Sequence, residues 1–331
     1  MNAGSMKAGS INGATYDVAV VGGGAAGLSA ATTLARSRRS VLVFDAGAPR
    51  NAPAEGVHNF LSRDGTAPRD LLAVGRTELE SYGGRVVAAT AVSAQRGGNG
   101  SVGFAVRLDD GATVHARRLV VATGVRDVLP DIPGLRERWG RDVLHCPYCH
   151  GWEVRDRAIV VIGTMPMSTH QALLLRQWSA TITYVVHTAP SPTEEEREQF
   201  RARDIRVVDD TVAHIEIVDD AIVGVRTADG KLVACHAVAV GSRAVAESPV
   251  LDALGLDRIE HPMGLHYPAD AFGRTAIDGV WLAGNVVDLA AGVINAAAQG
   301  YTVGTQLNAE LVTAETAAAV DRLREREGVQ Q

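Results

Sequence analysis

Cysteine is scarce, with three residues in a chain of 331. Three are too few for a disulfide-stapled scaffold. No apolar run approaches the ~20 residues needed to cross a bilayer. The net charge is −6, so the basic surplus that binds nucleic acid or an anionic membrane surface is missing. Neither nucleic acid nor membrane is therefore an expected partner. No signal peptide is visible, and a cytoplasmic protein is expected. Glycine, in contrast, is plentiful at 35 residues, which suits several tight approaches of backbone to ligand. An apolar fraction of 46% with 21% charged residues suits a globular protein with a real core, and the length suits two domains. Residues 1–14, rich in Gly, Ser, Ala and Asn, are expected to be disordered.

Two of the three cysteines form the centre of the chain's chemistry, in His145-Cys146-Pro147-Tyr148-Cys149-His150. A Cys-x-x-Cys pair can close a small disulfide and open it again, and one thiol of such a pair usually has a lowered pKa. The flanking His145 and His150 can supply positive charge or take a proton. A zinc site would need four ligands, usually two separated pairs, and Cys235 has no partner pair; no metal is expected. Cys146 to His150 also fits the C-x-x-C-H of haem attachment, but that maturation normally follows export. A purely structural disulfide is uncommon in a cytosolic chain. Redox use is the favoured reading.

The first segment reads as nucleotide-binding machinery. Tyr16–Val21 is a buried-type strand, followed by Gly22-Gly23-Gly24-Ala25-Ala26-Gly27 and by helical spacing from Leu28 to Arg36. A second strand, Val41–Phe44, ends on Asp45. Strand, G-x-G-x-x-G, helix, strand and acid form the dinucleotide fingerprint in its proper context. Gly22 allows the turn, Gly24 admits the pyrophosphate, and Gly27 lets the helix pack on the strand; Asp45 would accept from the ribose. Arg50 and Asn51 follow as candidate cofactor contacts, with His58 and Asn59 in the loop before a helix over Pro68–Tyr82. Val86–Ala116 alternates as a three-stranded meander, with turns at Gly97-Gly98-Asn99-Gly100 and Asp109-Asp110-Gly111. Another buried strand, Leu119–Gly124, ends in the small-residue turn Ala122-Thr123-Gly124, and Pro130–Gly134 reads as a linker.

The plan then repeats. Ala158–Ile162, Gly163, a helix over Thr169–Trp178, a strand over Thr181–Val186, a meander over Ile205–Ala237 and a strand over Ala237–Gly241 duplicate βαβ plus meander. Cys235, inside one of these strands, reads as a buried small hydrophobe. The copy has lost its ligand chemistry. Met165 stands where the second glycine belongs and Ser168 where the third does, with Pro166 between them. No arginine cluster follows to receive a 2′-phosphate, and Glu194–Glu198 makes the region negative. Gly279–Asn285 is a strand and turn, including Gly284 and Asn285, and a long helix opens at Gly292. Ala314–Gln331 reads as a polar terminal helix or frayed tail.

Fingerprint, Ala122-Thr123-Gly124, Cys-x-x-Cys ahead of a second βαβ unit, and Ala283-Gly284-Asn285 occur in the order of the thioredoxin reductase family, which the chain resembles from Asp17 to about Leu311. The resemblance implies an α/β fold of two Rossmann-like three-layer domains. Residues 15–127 and 247–331 would form a discontinuous FAD domain, and 128–246 an inserted, degenerate NAD(P)-type domain carrying the cysteines. It also implies a homodimer, with Cys149 nearer the flavin and Cys146 as the outer, exchanging thiol. The helix start at Val293 and Ile294 would face the polar end of the flavin ring. The chain departs from the reductase pattern at the nicotinamide site, at His150 (where reductases carry an acid) and at Asn285 (where they carry an aspartate). With Cys146–Glu153, these departures resemble the FAD-dependent dithiol oxidases of the holomycin, gliotoxin and romidepsin type, antibiotic-forming pathways. The implied activity is oxidation of a small-molecule dithiol through Cys146 and Cys149, with dioxygen as acceptor and hydrogen peroxide as product. His145 and His150 are the base candidates, and Tyr148, Trp152 and Phe60 would line an apolar substrate pocket. The rivals are an NADPH- or ferredoxin-dependent disulfide reductase and a flavin-bound redox sensor.

Overall fold

The computed structural model describes residues 11–97 and 103–328. The expected disorder of residues 1–10 and the turn at Gly98-Asn99-Gly100 lie outside the described residues. The chain divides into two compact units. One holds the described residues up to Arg50, Arg69–Arg126 and those from Val245 onward; the other holds Asn51–Pro68 and Asp127–Ala244.

In chain order the elements begin with β1 (Thr15–Val21), α1 (Ala25–Arg36), β2 (Val41–Asp45) and α2 (Pro68–Ser81). Next come β3 (Arg85–Ala88), β4 (Ala91–Arg96), β5 (Phe104–Leu108), β6 (Thr113–Val121) and β7 (Arg126–Val128). The second unit carries β8 (Val143–Leu144), α3 (Pro147–His150), β9 (Ile159–Ile162), α4 (Ser168–Leu175), β10 (Ile182–Val185) and α5 (Glu194–Ala202). It continues with β11 (Arg206–Val208), β12 (Val212–Val218), β13 (Ala221–Thr227), β14 (Leu232–Ala234), β15 (Ala237–Val240) and β16 (Arg243–Val245). The chain closes with α6 (Pro249–Ala253), β17 (Ile259–His261), β18 (Gly264–His266), β19 (Val280–Leu282) and α7 (Val293–Gly328).

The first unit is built on parallel strands in the order β3-β2-β1-β6-β19. Continuous Val, Leu, Ile, Phe and Ala runs fit strands buried on both faces. One face packs on Leu28, Leu34, Val303 and Leu307 of α1 and α7, and the other on Phe104, Val106, Val250 and Leu251. Each fully buried side chain of this size contributes about 1.5–3 kcal/mol. The sequence suggests a meander followed by a separate strand; the structure merges them. β6 pairs antiparallel with β5 through its first half and parallel with β19 through its second, and β3 belongs to the parallel set. Ile11, read as disordered, is 2% exposed within this core, and Gly13 donates to the Thr113 carbonyl.

The second unit repeats the plan, with an all-parallel sheet β11-β10-β9-β15-β8 and a separate antiparallel sheet β12-β13-β14. Its core includes Cys235, 1% exposed, whose thiol burial pushes up to about 12. α5 was not expected as a helix. Its signal was present: Thr193 and Glu196 form a capping box, in which the Thr193 hydroxyl accepts from the Glu196 N–H and the Glu196 carboxylate from the Thr193 N–H. The reading of the tail is resolved as helix, since α7 runs unbroken to Gly328. Among the described residues no helix is long and apolar enough to cross a membrane.

Candidate active site

The cysteine pair sits where the chain leaves β8 and turns into α3. Pro147 suits the first helical position because its missing N–H would have no partner there. Cys146 is the N-cap, and its sulfur accepts from the Cys149 N–H at 3.2 Å. Cys146 and Cys149 are joined as a disulfide, with Cα atoms 5.3 Å apart. A thiolate released at Cys146 would keep that N–H and the positive end of a short helix, both of which favour charge on sulfur. His145 stacks on Trp139, centroids 6.2 Å apart, and His150 closes α3. Tyr148 meets Trp178 edge-on at 5.7 Å, while the Arg155 guanidinium lies 4.2 Å from the Trp152 ring centre. Tyr148 and Trp152 stand at the surface, 65% and 63% exposed, and Phe60 is half-buried.

The structure groups Asn51, His58, Asn59 and Phe60 with the unit that carries the cysteines, although the sequence suggested cofactor roles for the first three. The Asn59 amide donates to the Tyr148 carbonyl at 2.8 Å. His58 lies between two carboxylates, Nδ1 3.3 Å from Asp64 and Nε2 3.4 Å from Glu153. The Asn59 N–H, helped by His58, holds the Asp64 carboxyl below its usual range. This segment lies in the unit that carries the redox loop.

The first fingerprint forms an open cradle. Gly22 has φ +109°, and a Cβ there would overlap the Ala122 carbonyl, so only glycine permits the turn that brings Ala122 and Thr123 against the loop. A Cβ on Gly27 would overlap the Gly22 carbonyl, whereas one on Gly24 would meet nothing within 4 Å. Gly24 caps α1 without a side-chain hydrogen bond, and the first turn, with Ala25 and Ala26, carries no acid. These amides remain available to phosphate oxygens. Asp45, at the end of β2, packs on Gly23 and is held by Arg76 at 2.5 Å and by the Gly47 N–H at 2.9 Å. Gly284 packs on Ala26, and its N–H donates to Gln299. The Asn285 amide donates to the carbonyls of Asp288 and Ala291. Val293 and Ile294 open α7. Arg50 and Gly124 lie in the same unit. These residues fit a dinucleotide such as FAD.

The second cradle is filled by its own side chains. The Ser168 hydroxyl, on a residue 1% exposed, accepts from the N–H groups of Thr164 and Met165 at 3.2 and 3.3 Å. These are donors that a pyrophosphate would use. A Cβ on Gly241 would meet the Met165 thioether at 2.7–2.9 Å, and one on Gly163 would meet the Tyr184 hydroxyl at 2.5 Å. At the start of α4, the Thr169 hydroxyl donates to Glu196 at 2.6 Å, which holds that carboxyl below its usual range. A phosphate here would meet a carboxylate. Burial, with Glu196 nearby, pushes the Tyr184 phenol up to about 12. These residues do not fit a nicotinamide dinucleotide. Met165 was legible in the sequence; the parts played by Ser168, Tyr184 and Glu196 depend on packing and were not.

The family model described as pyridine nucleotide-disulphide oxidoreductase matches residues 16–300. The crystal structure of HlmI is 45% identical, covers 92% of this chain and 95% of its own, and superposes with a TM-score of 0.86. Thioredoxin reductase tcpT of Claviceps purpurea is 30% identical over 89% of this chain and 94% of its own. Thioredoxin reductase sirT of Leptosphaeria maculans is 30% identical over 92% and 96%. Two Rossmann-like units, an open dinucleotide cradle and a cysteine pair closed as a disulfide agree with that match: the chain belongs to the pyridine nucleotide-disulphide oxidoreductase family, as a thioredoxin reductase-like flavin oxidoreductase.

Proposed function

We propose that this protein is an FAD-dependent dithiol oxidase that closes a disulfide in a small-molecule dithiol through Cys146 and Cys149, with dioxygen as the final acceptor. The observation that carries the reading is the filled second cradle in the unit that bears the cysteine pair. A nicotinamide-driven reductase must admit its donor, and here Ser168, Met165, Tyr184 and Glu196 crowd the cradle it would use. That favours entry of electrons from the thiol side.

A substrate thiolate attacks the sulfur of Cys146, forming a mixed disulfide and releasing Cys149 as thiolate. The second substrate thiol, once deprotonated, attacks the substrate sulfur of that mixed disulfide and displaces Cys146. The substrate leaves as a cyclic disulfide, and its two electrons rest on Cys146 and Cys149. His145 and His150, which flank the pair in sequence, are the candidate bases for the two thiol protons. Tyr148, Trp152 and Phe60 offer apolar surface to the ring that carries the thiols. Bound FAD supplies a two-electron relay from this pair to dioxygen, which leaves as hydrogen peroxide. Its holders are Gly22, Gly24, Ala25, Ala26, Gly27, Asp45, Arg50, Ala122, Thr123, Gly124, Gly284, Asn285, Val293 and Ile294. The reading includes a cytoplasmic homodimer.

Oxygen uptake by the purified yellow protein tests it. A small dithiol should drive uptake and release peroxide, NADPH should not, and Cys149→Ser should abolish the response. NADPH-driven reduction of a protein disulfide would replace this reading with a reductase.

A further inference from the structure

We propose that Asn59 and Gln171 are positioning residues for the redox pair: two side-chain amides that grip the peptide carbonyls immediately ahead of Cys146 and Cys149. Gln171 Nε2 donates to the His145 carbonyl at 2.7 Å, and Asn59 Nδ2 donates to the Tyr148 carbonyl at 2.8 Å. His145 lies ahead of the N-cap, and Tyr148 lies in the last turn, where carbonyls have no intrahelical donor. The two grips come from different elements. Gln171 belongs to α4, packed on the parallel sheet, and Asn59 to the excursion Asn51–Pro68.

The Asn59 backbone is itself fixed. Asn59 adopts φ 60°, a left-handed conformation that asparagine tolerates better than most residues, and its N–H is fixed by Asp64 at 3.0 Å. Gln171 holds its place at a cost, because its Oε1 is buried without a hydrogen-bond partner. A native structure seldom leaves such an oxygen without a reason, and stability alone does not supply one. The donor on the same amide does, because it fixes the peptide unit that carries Cys146.

The consequence falls on the reduced pair. With the disulfide open, nothing covalent keeps the sulfurs together. If both peptide units stay gripped, the Cα atoms remain near 5.3 Å, within the span of a disulfide. Closing then needs only side-chain rotation. Without a grip, the thiols spend more time apart, and the disulfide becomes easier to open. The inference rests on Cys146 and Cys149 being the working pair and is independent of the electron acceptor.

The test is the potential of the pair in the flavin-loaded protein, equilibrated without oxygen against mixtures of dithiothreitol and its cyclic disulfide, with thiols counted after alkylation and flavin reduction read by absorbance. Each reduced enzyme pair takes two electrons and two protons from one dithiothreitol, which closes its own ring. Asn59→Gly keeps the backbone conformation and deletes the donor. Gln171→Met keeps the length, deletes the donor and removes the unpartnered oxygen. Each variant should lower the equilibrium constant for closing the disulfide by threefold to tenfold, tenfold being about 30 mV for a two-electron couple. Gln171→Met should do so with a melting temperature no lower than the parent's, which a purely structural glutamine would not allow. Unchanged potentials in both variants, with a parent that cycles, overturn the grip alone. A parent whose pair takes no electrons from dithiothreitol overturns the redox reading and the grip with it.

Discussion

Ser168→Ala separates a filled nucleotide cradle from an empty one. The hydroxyl is the acceptor for two backbone N–H groups, Thr164 at 3.2 Å and Met165 at 3.3 Å, from a residue 1% exposed. Alanine leaves the loop geometry free of steric conflict but strands both donors. A buried group that loses its partner costs about 1–3 kcal/mol. Thr164 and Met165 are only half-buried, so water restores part of that, and about 1–2 kcal/mol is the expected loss. At about 2–4 °C per kcal/mol for a domain of 150–250 residues, the melting temperature should fall by about 2–8 °C. Circular dichroism of the second unit's helices, followed beside flavin release, measures it. The freed amides should not bring NADPH in, because Met165, Tyr184 and the Glu196 carboxylate still occupy the space. An unchanged melting temperature would show that the hydroxyl does not hold the loop. Flavin bleaching by NADPH in this variant would show that one hydroxyl was the whole obstruction, and the cradle argument would fail.

Three further outcomes follow from single contacts. Gly27→Ala drives a methyl into the Gly22 carbonyl, so the purified protein should carry little flavin, as its visible absorbance per protein would report. Glu196 has a lowered folded-state pKa, first through the Thr169 hydroxyl. Its stabilising effect is therefore full above the ordinary glutamate value and is lost as pH falls through the lower, folded value. Melting temperatures of the parent and Glu196→Gln should converge on acidification through that window; a constant gap would remove the carboxylate from the account. Arg138 is 5% exposed and pairs with Asp142 and Asp220. Arg138→Ala leaves Asp142, 15% exposed, with only the Arg141 charge, with which no direct ion pair is formed, and removes the pair to Asp220; a loss of about 3 kcal/mol, the lower end for a broken buried pair, is expected in urea unfolding, and a loss under about 1 kcal/mol would class the pair with ordinary surface bridges.

Local chemistry was readable from the sequence where a residue type decides it. Gly22 and Gly27 stand where a Cβ would overlap backbone, as their spacing requires, and Met165 at a glycine position signalled the degenerate copy. The duplicated strand order follows from runs such as Ile159–Ile162 and Ala237–Val240, buried on both faces. What was not readable depends on contacts distant in sequence. Asn59 lies 89 residues from its partner Tyr148 and Gln171 lies 26 from His145. No local pattern places the Asn51–Pro68 excursion with the unit that carries the cysteines. The merger of two expected strands into β6 has the same origin, because only the tertiary partners β5 and β19 show that one strand serves two sheet regions.

Anaerobic mixing of the yellow protein with a small dithiol, and separately with NADPH, tests the central claim most directly. The dithiol should bleach the flavin, NADPH should leave it oxidised, and Cys149→Ser should stay yellow with both. Rapid bleaching by NADPH, or bleaching of Cys149→Ser by the dithiol at the parent's rate, would contradict entry of electrons through Cys146 and Cys149.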